Sequence, residues 1–441
     1  MKTPSRTALI PLAAAAVLLT SIVPFARAQE APTPAQPAAG APAPGAASQP
    51  ESAEVSPEVS ALAPPAGAPI GNGTQVIPTV GPSAAAEPAG ITPYRWGSVD
   101  VSPRILYQYL YGNSILARPG EPKNTSVQTI APGVLFGLGA QWQLDYSPIW
   151  TLYSNSAFSD QVNHIASLTG STAYEDWALR FSESFTSVSS PLVETGTQTR
   201  QKTSGTAFSA THSVGTRMLL ELNFGFDARF PEGLPLSREW STTDWLHYRL
   251  APDWDGAVGI GLGYVDVSPG PNMTYERPQL RIGWKPTERI GFDLAGGMEI
   301  RHFNASGRSD LNSPIVSGTF HFQPVEATLL SLQVGRQVTT SYFAGQVTEN
   351  TYWNASVRQR LLQVLFLTAN YAHQRASYVA AQADVVAARA DTFDSVDLRL
   401  GTTVLRRGTI SAIYRYTRNS SNLAEFGFSS HQVGFEIAYQ F

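Results

Sequence analysis

The chain of 441 residues contains no cysteine. Disulfides, thiolate metal sites and a lipid-modified N-terminal cysteine are therefore excluded. Charged residues make up only 15% of the chain, against about 25% in an ordinary soluble protein. The small net charge of −4 argues against a nucleic-acid-binding protein. Beyond the N-terminus the sequence also lacks any apolar run of the roughly 18 residues that a spanning helix needs.

Aromatic residues and glycines, by contrast, are abundant. Aromatic residues make up 10% of the chain, and there are 36 glycines. The mean hydropathy is nevertheless only −0.11. This combination is typical of a membrane β-barrel, because each strand needs only one apolar face and the mean hydropathy then stays near zero.

The first 28 residues have the features of a secretion signal. Lys2 and Arg6 precede an apolar stretch over residues 9–23, and Ala26-Arg27-Ala28 supplies a small-x-small cleavage pattern. We therefore predict a signal peptide over residues 1–28. An uncleaved helical anchor is the alternative, but the apolar stretch is short for a membrane span and is interrupted by proline.

Residues 29–93 form a segment rich in Ala, Pro, Gly, Ser and Glu. Almost none of these residues could form a core, so burial cannot offset the entropy of ordering, and we expect disorder. The proline content should keep the segment semi-extended. One interpretation is a periplasmic tether, in which residues 29–92 reach a partner. The other is an extension without a role, which is favoured because no recognition motif stands out.

From residue 94 to residue 441, apolar and polar residues alternate, which is the period of a half-buried strand. The end of the chain shows this most clearly. One face carries Val433, Phe435, Ile437, Tyr439 and Phe441, and the other carries Gly434, Glu436, Ala438 and Gln440. Lipid on one side of a strand and a polar lumen on the other would produce this pattern.

The predicted connections between strands alternate in length. Short polar turns such as 286–288 alternate with long loops, among them 112–123 and 155–171. This is typical of outer-membrane barrels. We predict an all-β fold, a closed antiparallel transmembrane β-barrel of about 18 strands, or of 16 if residues 185–212 contain a loop in place of a strand. The Ala-rich segment 376–391 could form a short helix at the mouth.

A soluble β-sandwich is the alternative fold for the same alternation. The aromatic residues would then belong to its core. A sandwich would not need this many similar hairpins, nor so polar a second face, so the barrel is the better interpretation.

Two segments resemble known families. The terminal VGFEIAYQF resembles the C-terminal signature of outer-membrane proteins, which the barrel-assembly machinery reads; the resemblance implies that machinery as a partner, through Tyr439 and Phe441. VSPRILYQYLYGNSI and IAPGVLFGLGAQWQLDYSPIWTLY resemble the β-barrel porin 2 family of outer-membrane proteins, with the family's Asp-Asn-Ile-like turn reading Gly112-Asn113-Ser114-Ile115 here. This second resemblance would cover residues from about 95 onward, and it implies a pore or a protein linked to exopolysaccharide export.

The sequence contains few candidate catalytic residues. The close Ser/His sets are Ser209 and Ser213 with His212, and Ser430 with His431. None has an Asn pattern of the outer-membrane phospholipase type, so we assign no catalytic residue and keep a barrel hydrolase as a further hypothesis. No histidine spacing resembles a metal site, and we expect no cofactor.

The inward-facing positions carry charges of both signs. Those assigned to the lumen and to pore selectivity are Arg249, Arg277, Arg281, Arg301, Arg358, Arg399, Arg415, Asp293, Glu299 and Asp397. Charge facing a lumen indicates water there, because burying an unpaired ion costs several kcal/mol. The alternative is a salt-bridged interior that conducts little.

The sequence therefore predicts a passive channel for small hydrophilic solutes in the outer membrane of a Gram-negative cell. Arg249, Arg277, Arg281 and Arg301 would set any preference for anions or sugar acids. An accessory barrel in exopolysaccharide export or surface structure is the main alternative. We expect contact with outer-membrane lipid, a homo-oligomer and a periplasmic partner of residues 29–92, and no nucleic acid.

Overall fold

The computed structural model describes residues 93–304, 307–405 and 407–441. The predicted signal peptide, and all of the Pro/Ala-rich segment except residue 93, lie outside the described residues. A short strand, β1 (Tyr94–Trp96), pairs with the start of β2. The long strands are β2 (Val99–Arg118), β3 (Glu121–Leu138), β4 (Trp142–Tyr153), β5 (Gln161–Tyr174), β6 (Trp177–Pro191), β7 (Gln198–Val214), β8 (Met218–Pro231), β9 (Leu236–Ala251), β10 (Trp254–Ser268), β11 (Met273–Thr287), β12 (Ile290–Phe303), β13 (Leu311–Val325), β14 (Thr328–Thr340), β15 (Gln346–Leu361), β16 (Leu365–Ala380), β17 (Ala390–Val404), β18 (Gly408–Ser421) and β19 (Phe428–Gln440).

The strands β2 to β19 form one closed ring. Each pairs antiparallel with the next, and β19 pairs back onto β2, from Gln432 opposite Gly112 to Gln440 opposite Arg104. Closure leaves no free edge among the long strands, so their backbone polar groups are satisfied within the ring. The predicted all-β barrel of 18 strands is confirmed, and the alternative of 16 is wrong, because residues 185–212 lie in the paired strands β6 and β7 and their connection.

The connections at one end of the ring contain two or three residues each. Gly139 and Gly215 lie in two of these turns with φ values of 67° and 71°, a conformation that glycine adopts at little cost. At the other end the connections reach nine residues, between β16 and β17. We call these the turn end and the loop end of the barrel.

Three expectations about loops were wrong. Residues 112–123 are almost all strand, because a bulge between Gly112 and Ile115 lets β2 and β3 continue to a two-residue turn. Most of 155–171 belongs to β5, which begins at Gln161. The segment 376–391 forms no helix, because β16 and β17 take both ends and leave too few residues for one that is stable alone.

The only helical element in the described part of the chain is a single 3-10 turn at Ala424–Phe426. No helix among the described residues is long and apolar enough to span a membrane.

The two faces of the ring differ as the alternation predicts. On β19, Phe435 and Ile437 are exposed on the outward face, whereas Glu436 on the inward face is 2% exposed. Outward aromatic side chains also follow β4 at Trp142, Tyr146 and Trp150. An outward surface of this kind matches what lipid requires of a barrel.

A row of glycines on the inward face of β10 gives neighbouring side chains room. A Cβ at Gly259 would overlap the indole ring of Trp245, and a Cβ at Gly263 would overlap the ring of Tyr275. These two rings, carried by β9 and β11, therefore lie flat across β10. Because these glycines have no side chain, the rings of Trp245 and Tyr275 can lie against the backbone of β10, and this fixes their positions on the inward wall.

Candidate functional site

A continuous chain of charged groups crosses the inward wall formed by β8 to β12. The Nδ1 and Nε2 atoms of His247 lie 2.7 Å from Asp255 Oδ2 and 2.9 Å from Glu221 Oε2. Arg281 NH1 lies 3.9 Å from the same oxygen of Glu221, and Arg281 Nε donates to Asp293 Oδ2 at 2.7 Å. Each of these residues comes from a different strand, so barrel closure and register bring them together.

A second cluster lies on the same wall, nearer the loop end. Glu299 accepts hydrogen bonds from Arg277 Nε at 2.8 Å and Arg301 Nε at 2.7 Å. The ring of Tyr275 lies beneath both guanidinium groups, with its centroid 4.0 Å from Arg277 Cζ and 5.1 Å from Arg301 Cζ. The side chains of Glu299 and Arg301 are 0% and 1% exposed. These two predicted lumen residues face inward but have no contact with open solvent.

Ion pairs also line the opposite wall. Arg415 NH2 lies 3.0 Å from Asp397 Oδ2 on the adjacent strand. Glu436 accepts hydrogen bonds from Arg399 NH1 at 2.8 Å and from Gln108 Nε2 at 2.9 Å. Asp397 and Glu436 therefore each neutralise an arginine on their own wall rather than one across the lumen. The sequence could place these charges on the inward face but could not identify the pairs, because the pairing depends on strand register.

Two predicted lumen residues differ from the others. Arg249 lies near the turn end of β9 and is exposed, and Arg358 lies on the inward face of β15 and is half-buried. Among the described residues, neither has a carboxylate within ion-pair distance. They are the predicted lumen arginines whose charge has no neutralising partner, and their role in selectivity stays a prediction.

Three segments meet over the loop end and form what we call the lid: residues 192–197, residues 338–348 and residues 381–389. Residues 338–348 are the tip of the β14–β15 hairpin, and Val347 and Thr348 in it are fully buried. Tyr342 Oη donates to Gln201 Oε1 at 2.7 Å. Arg229 donates to Thr340 Oγ1 at 2.8 Å. These contacts join β14–β15 to β7 and β8 on another side of the ring, so the hairpin tip folds inward.

Glu194 joins the first lid segment, residues 192–197, to the second, residues 338–348, by hydrogen bonds. Its carboxylate accepts hydrogen bonds from Ser341 Oγ at 2.6 Å and from the Tyr342 backbone N–H at 2.8 Å. Burial raises the pKa of Glu194, while these two hydrogen bonds and the positive charges of Arg229 and Arg389 oppose the rise. The carboxyl group is 3% exposed, so it joins the two lid segments away from solvent.

Arg389 fastens the third lid segment to the first. Its NH1 donates to the backbone oxygen of Glu194 at 2.6 Å, and its guanidinium pairs with Asp391 at 2.5 Å. The same guanidinium lies 3.6 Å from the ring centroid of Phe426 and 4.9 Å from that of Tyr378. Sequence reasoning missed Glu194 and Arg389. The charged pair Arg389 and Asp391 closing an Ala-rich loop was the available signal.

The Ser/His sets do not assemble into catalytic dyads. Ser209 lies on the inward face of β7, whereas His212 on the outward face stacks on Trp177 with centroids 4.8 Å apart. Ser430 is fully buried inside, whereas the neighbouring His431 contacts Tyr414 Oη at 2.9 Å outside. Among the described residues, no group of three or more His, Asp or Glu is placed to hold a metal ion.

The predicted assembly signal lies at the seam of the ring. The rings of Tyr439 and Phe441 meet edge to face at 5.0 Å, and the Phe441 N–H donates to the backbone oxygen of Pro103 at 3.0 Å. Phe441 is 44% exposed. Its recognition by the assembly machinery stays a prediction.

No protein-family model matches this chain, and no curated protein matches it in sequence. Solved structures similar to it include the OccK2 (OpdF) protein of Pseudomonas aeruginosa in complex with glucuronate, with 13% identity, a TM-score of 0.43, and coverage of 78% of this chain and 98% of that chain. A BenF-like porin from Pseudomonas fluorescens Pf-5 has 11% identity and a TM-score of 0.44, with the same coverage of 78% and 98%. OccAB3 of Acinetobacter baumannii has 9% identity and a TM-score of 0.42, covering 78% of this chain and 100% of that one. Similarity at this level assigns neither a solute nor a mechanism to this chain.

Proposed function

We propose that this protein is an outer-membrane channel through which small hydrophilic solutes diffuse. One observation carries the proposal: eighteen strands close into a ring that is apolar outside and lined inside by ionised pairs. Rings of 16 to 18 strands enclose a lumen wide enough for water. Partly exposed pairs such as Arg281 and Asp293 lie where that water can hydrate them.

The lid defines the conducting states of this channel. Residues 192–197, 338–348 and 381–389 are joined by these hydrogen bonds at the loop end, and we propose that solutes from that side enter when the contacts open. The charged chain through His247 and Arg281 lies below the lid, on the wall of the passage. We therefore expect a low basal conductance that increases when the lid is weakened.

Planar-bilayer recordings test the proposal. The purified, folded barrel should give discrete conductance steps, and the variant Glu194→Ala should spend more time at the higher level. Folding is checked for both proteins by their heat-modifiable mobility in SDS gels. If both proteins insert as folded barrels and neither conducts, the channel proposal is wrong.

The cellular location and partners belong to the same proposal. We infer an outer-membrane location from the outward apolar surface, and membership of the β-barrel porin 2 family from the residues that resemble it. We also propose the barrel-assembly machinery as a partner through Tyr439 and Phe441, a homo-oligomer, and a periplasmic partner of residues 29–92. Membrane fractionation, cross-linking in intact cells and pull-down with residues 29–92 test these in turn.

A further inference from the structure

A cavity of about 140 Å³ lies inside the barrel beneath the lid. The inward faces of β2 to β6 and of β17 to β19 form its walls, and the loop after β6 closes one side. Its apolar lining includes Leu110, Ile149, Val188, Leu192 and Phe393, of which Ile149 and Leu192 are 2% and 1% exposed. Its volume is close to the roughly 150 Å³ of an apolar protein cavity that accepts one benzene ring.

Two hydroxyl groups at the wall of this cavity have no hydrogen-bond partner among the residues that the structure describes. The Oγ atoms of Ser190 and Ser430 are buried and unpartnered, and Ser430 is 0% exposed as a residue. Both serines line the cavity. Buried hydroxyl groups in proteins are nearly always paired, because an unpaired one costs free energy. A ligand oxygen in the cavity would supply the missing partner.

The charge of the lining points to an uncharged ligand. Among the described residues that line the cavity, Arg415 alone is charged, and its guanidinium is held 3.0 Å from Asp397. A carboxylate entering the cavity would lose its hydration and find the one cation already neutralised. A neutral group with an oxygen atom would lose less hydration and would gain the serine hydroxyls.

We propose that this cavity is a binding site for an uncharged, single-ring solute that carries a hydroxyl or carbonyl group. The ring packs between Ile149, Val188 and Phe393, and its oxygen pairs with Ser430 or Ser190. The inference rests on the proposed function only in that the solute reaches the site through the lumen. Within the channel, this one site would favour neutral amphipathic solutes over anions, apart from any preference that the lumen arginines set.

Binding of benzyl alcohol, benzoate and toluene to the full-length folded barrel tests this site. The barrel is held in amphipol, and ligand-observed NMR measures each affinity, with protein-free amphipol subtracting non-specific partitioning. Benzyl alcohol should bind saturably and at least about ten times more tightly than benzoate. Ser430→Ala should weaken benzyl alcohol about three- to tenfold, the effect of one hydrogen bond, and leave toluene unchanged.

Filling the cavity provides the second arm. Val188→Phe should abolish saturable binding, whereas Val357→Phe, the same substitution on the outward face of β15, should leave it intact. If Val188→Phe does not fold, the Ser430→Ala comparison alone decides. Non-saturable binding, an equal or higher affinity for benzoate, or an effect of Ser430→Ala on toluene as large as that on benzyl alcohol would overturn the site. A barrel that conducts without binding benzyl alcohol refutes this site only, and one that binds it without conducting refutes the channel.

Discussion

Glu194 should control the opening of the lid, and its replacement by Ala tests this directly. The substitution removes the acceptor of two hydrogen bonds, from Ser341 Oγ and from the Tyr342 N–H, and leaves both donors buried. A buried donor left without its acceptor costs about 1 to 3 kcal/mol. Because Glu194 is 3% exposed, solvent screening reduces this little.

The closed lid should therefore lose about 3 kcal/mol, which corresponds to roughly a hundredfold increase in the ratio of open to closed states. Single-channel recording in planar bilayers measures that ratio as the fraction of time spent in the higher conductance level. Ser317→Ala, an inward substitution on β13 outside the lid, is the control. An open fraction in Glu194→Ala equal to that of the unmodified protein would refute the assignment of Glu194 to the lid.

The same carboxylate predicts a pH dependence. Burial raises the pKa of Glu194 in the closed lid, whereas an open lid would expose it with an ordinary value near 4.5. The closed state thus binds the proton more tightly, so closure is strongest below about pH 4.5 and weakens as the pH rises through the raised pKa. Arg229 and Arg389 face the carboxylate and limit the rise. Conductance should increase from acidic to neutral pH. Glu194→Gln should remain closed and lose this dependence; a pH response that Glu194→Gln retains would assign it to other groups.

Three further predictions concern stability and assembly. Glu299→Ala leaves two arginines without their shared buried carboxylate and should lower the free energy of unfolding in urea by about 3–5 kcal/mol. Asp293→Asn changes a partly exposed ion pair and should lower it by under about 1 kcal/mol. Equal losses in the two variants would contradict the role given to burial. Gly263→Ala should lower the unfolding temperature read from SDS-gel mobility, because its Cβ overlaps a tyrosine ring and overpacking costs about 1–3 kcal/mol. Gly283→Ala, whose nearest neighbouring atom is 3.7 Å away, should be tolerated, and a similar loss there would contradict the steric explanation. Deleting Phe441 should reduce the folded barrel recovered from outer membranes far more than it lowers stability in detergent, where one backbone hydrogen bond and one ring contact are lost. Unchanged recovery would remove its proposed role in assembly.

Much of the fold could be predicted from the sequence, because the residues of a barrel strand face outward and inward in turn and differ in polarity accordingly. Phe435 and Glu436 show this most directly, since one faces outward and its neighbour is buried inside. The strand number could also be predicted, because short turns at one end mark each hairpin. Loop lengths were less accessible: residues 112–123 are polar enough for a loop, yet their backbone is paired to the tip of the hairpin.

The lid could not be predicted, because its contacts join segments far apart in sequence. Glu194 and Ser341 are separated by 147 positions and meet only after the ring has closed. The local sequence around either residue reads as an ordinary exposed loop. The ion pairs depend in the same way on register, since Arg281 could have met any acid on a neighbouring strand. The alternation of polar and apolar residues predicts which face of the strand a side chain occupies, but its ion-pair partner is known only from the tertiary structure.

The seam between β2 and β19 determines when the barrel can close during the synthesis of the protein. The ring can close only when its last strand, which ends at Gln440, has been made and lies beside residues near Arg104. A ribosome still synthesising the chain therefore holds an incomplete sheet with two open edges, a state prone to aggregation. The strands made earlier must accordingly be kept from pairing with other chains until β19 is available, and a chain lacking β19 should be degraded rather than accumulate as a folded barrel.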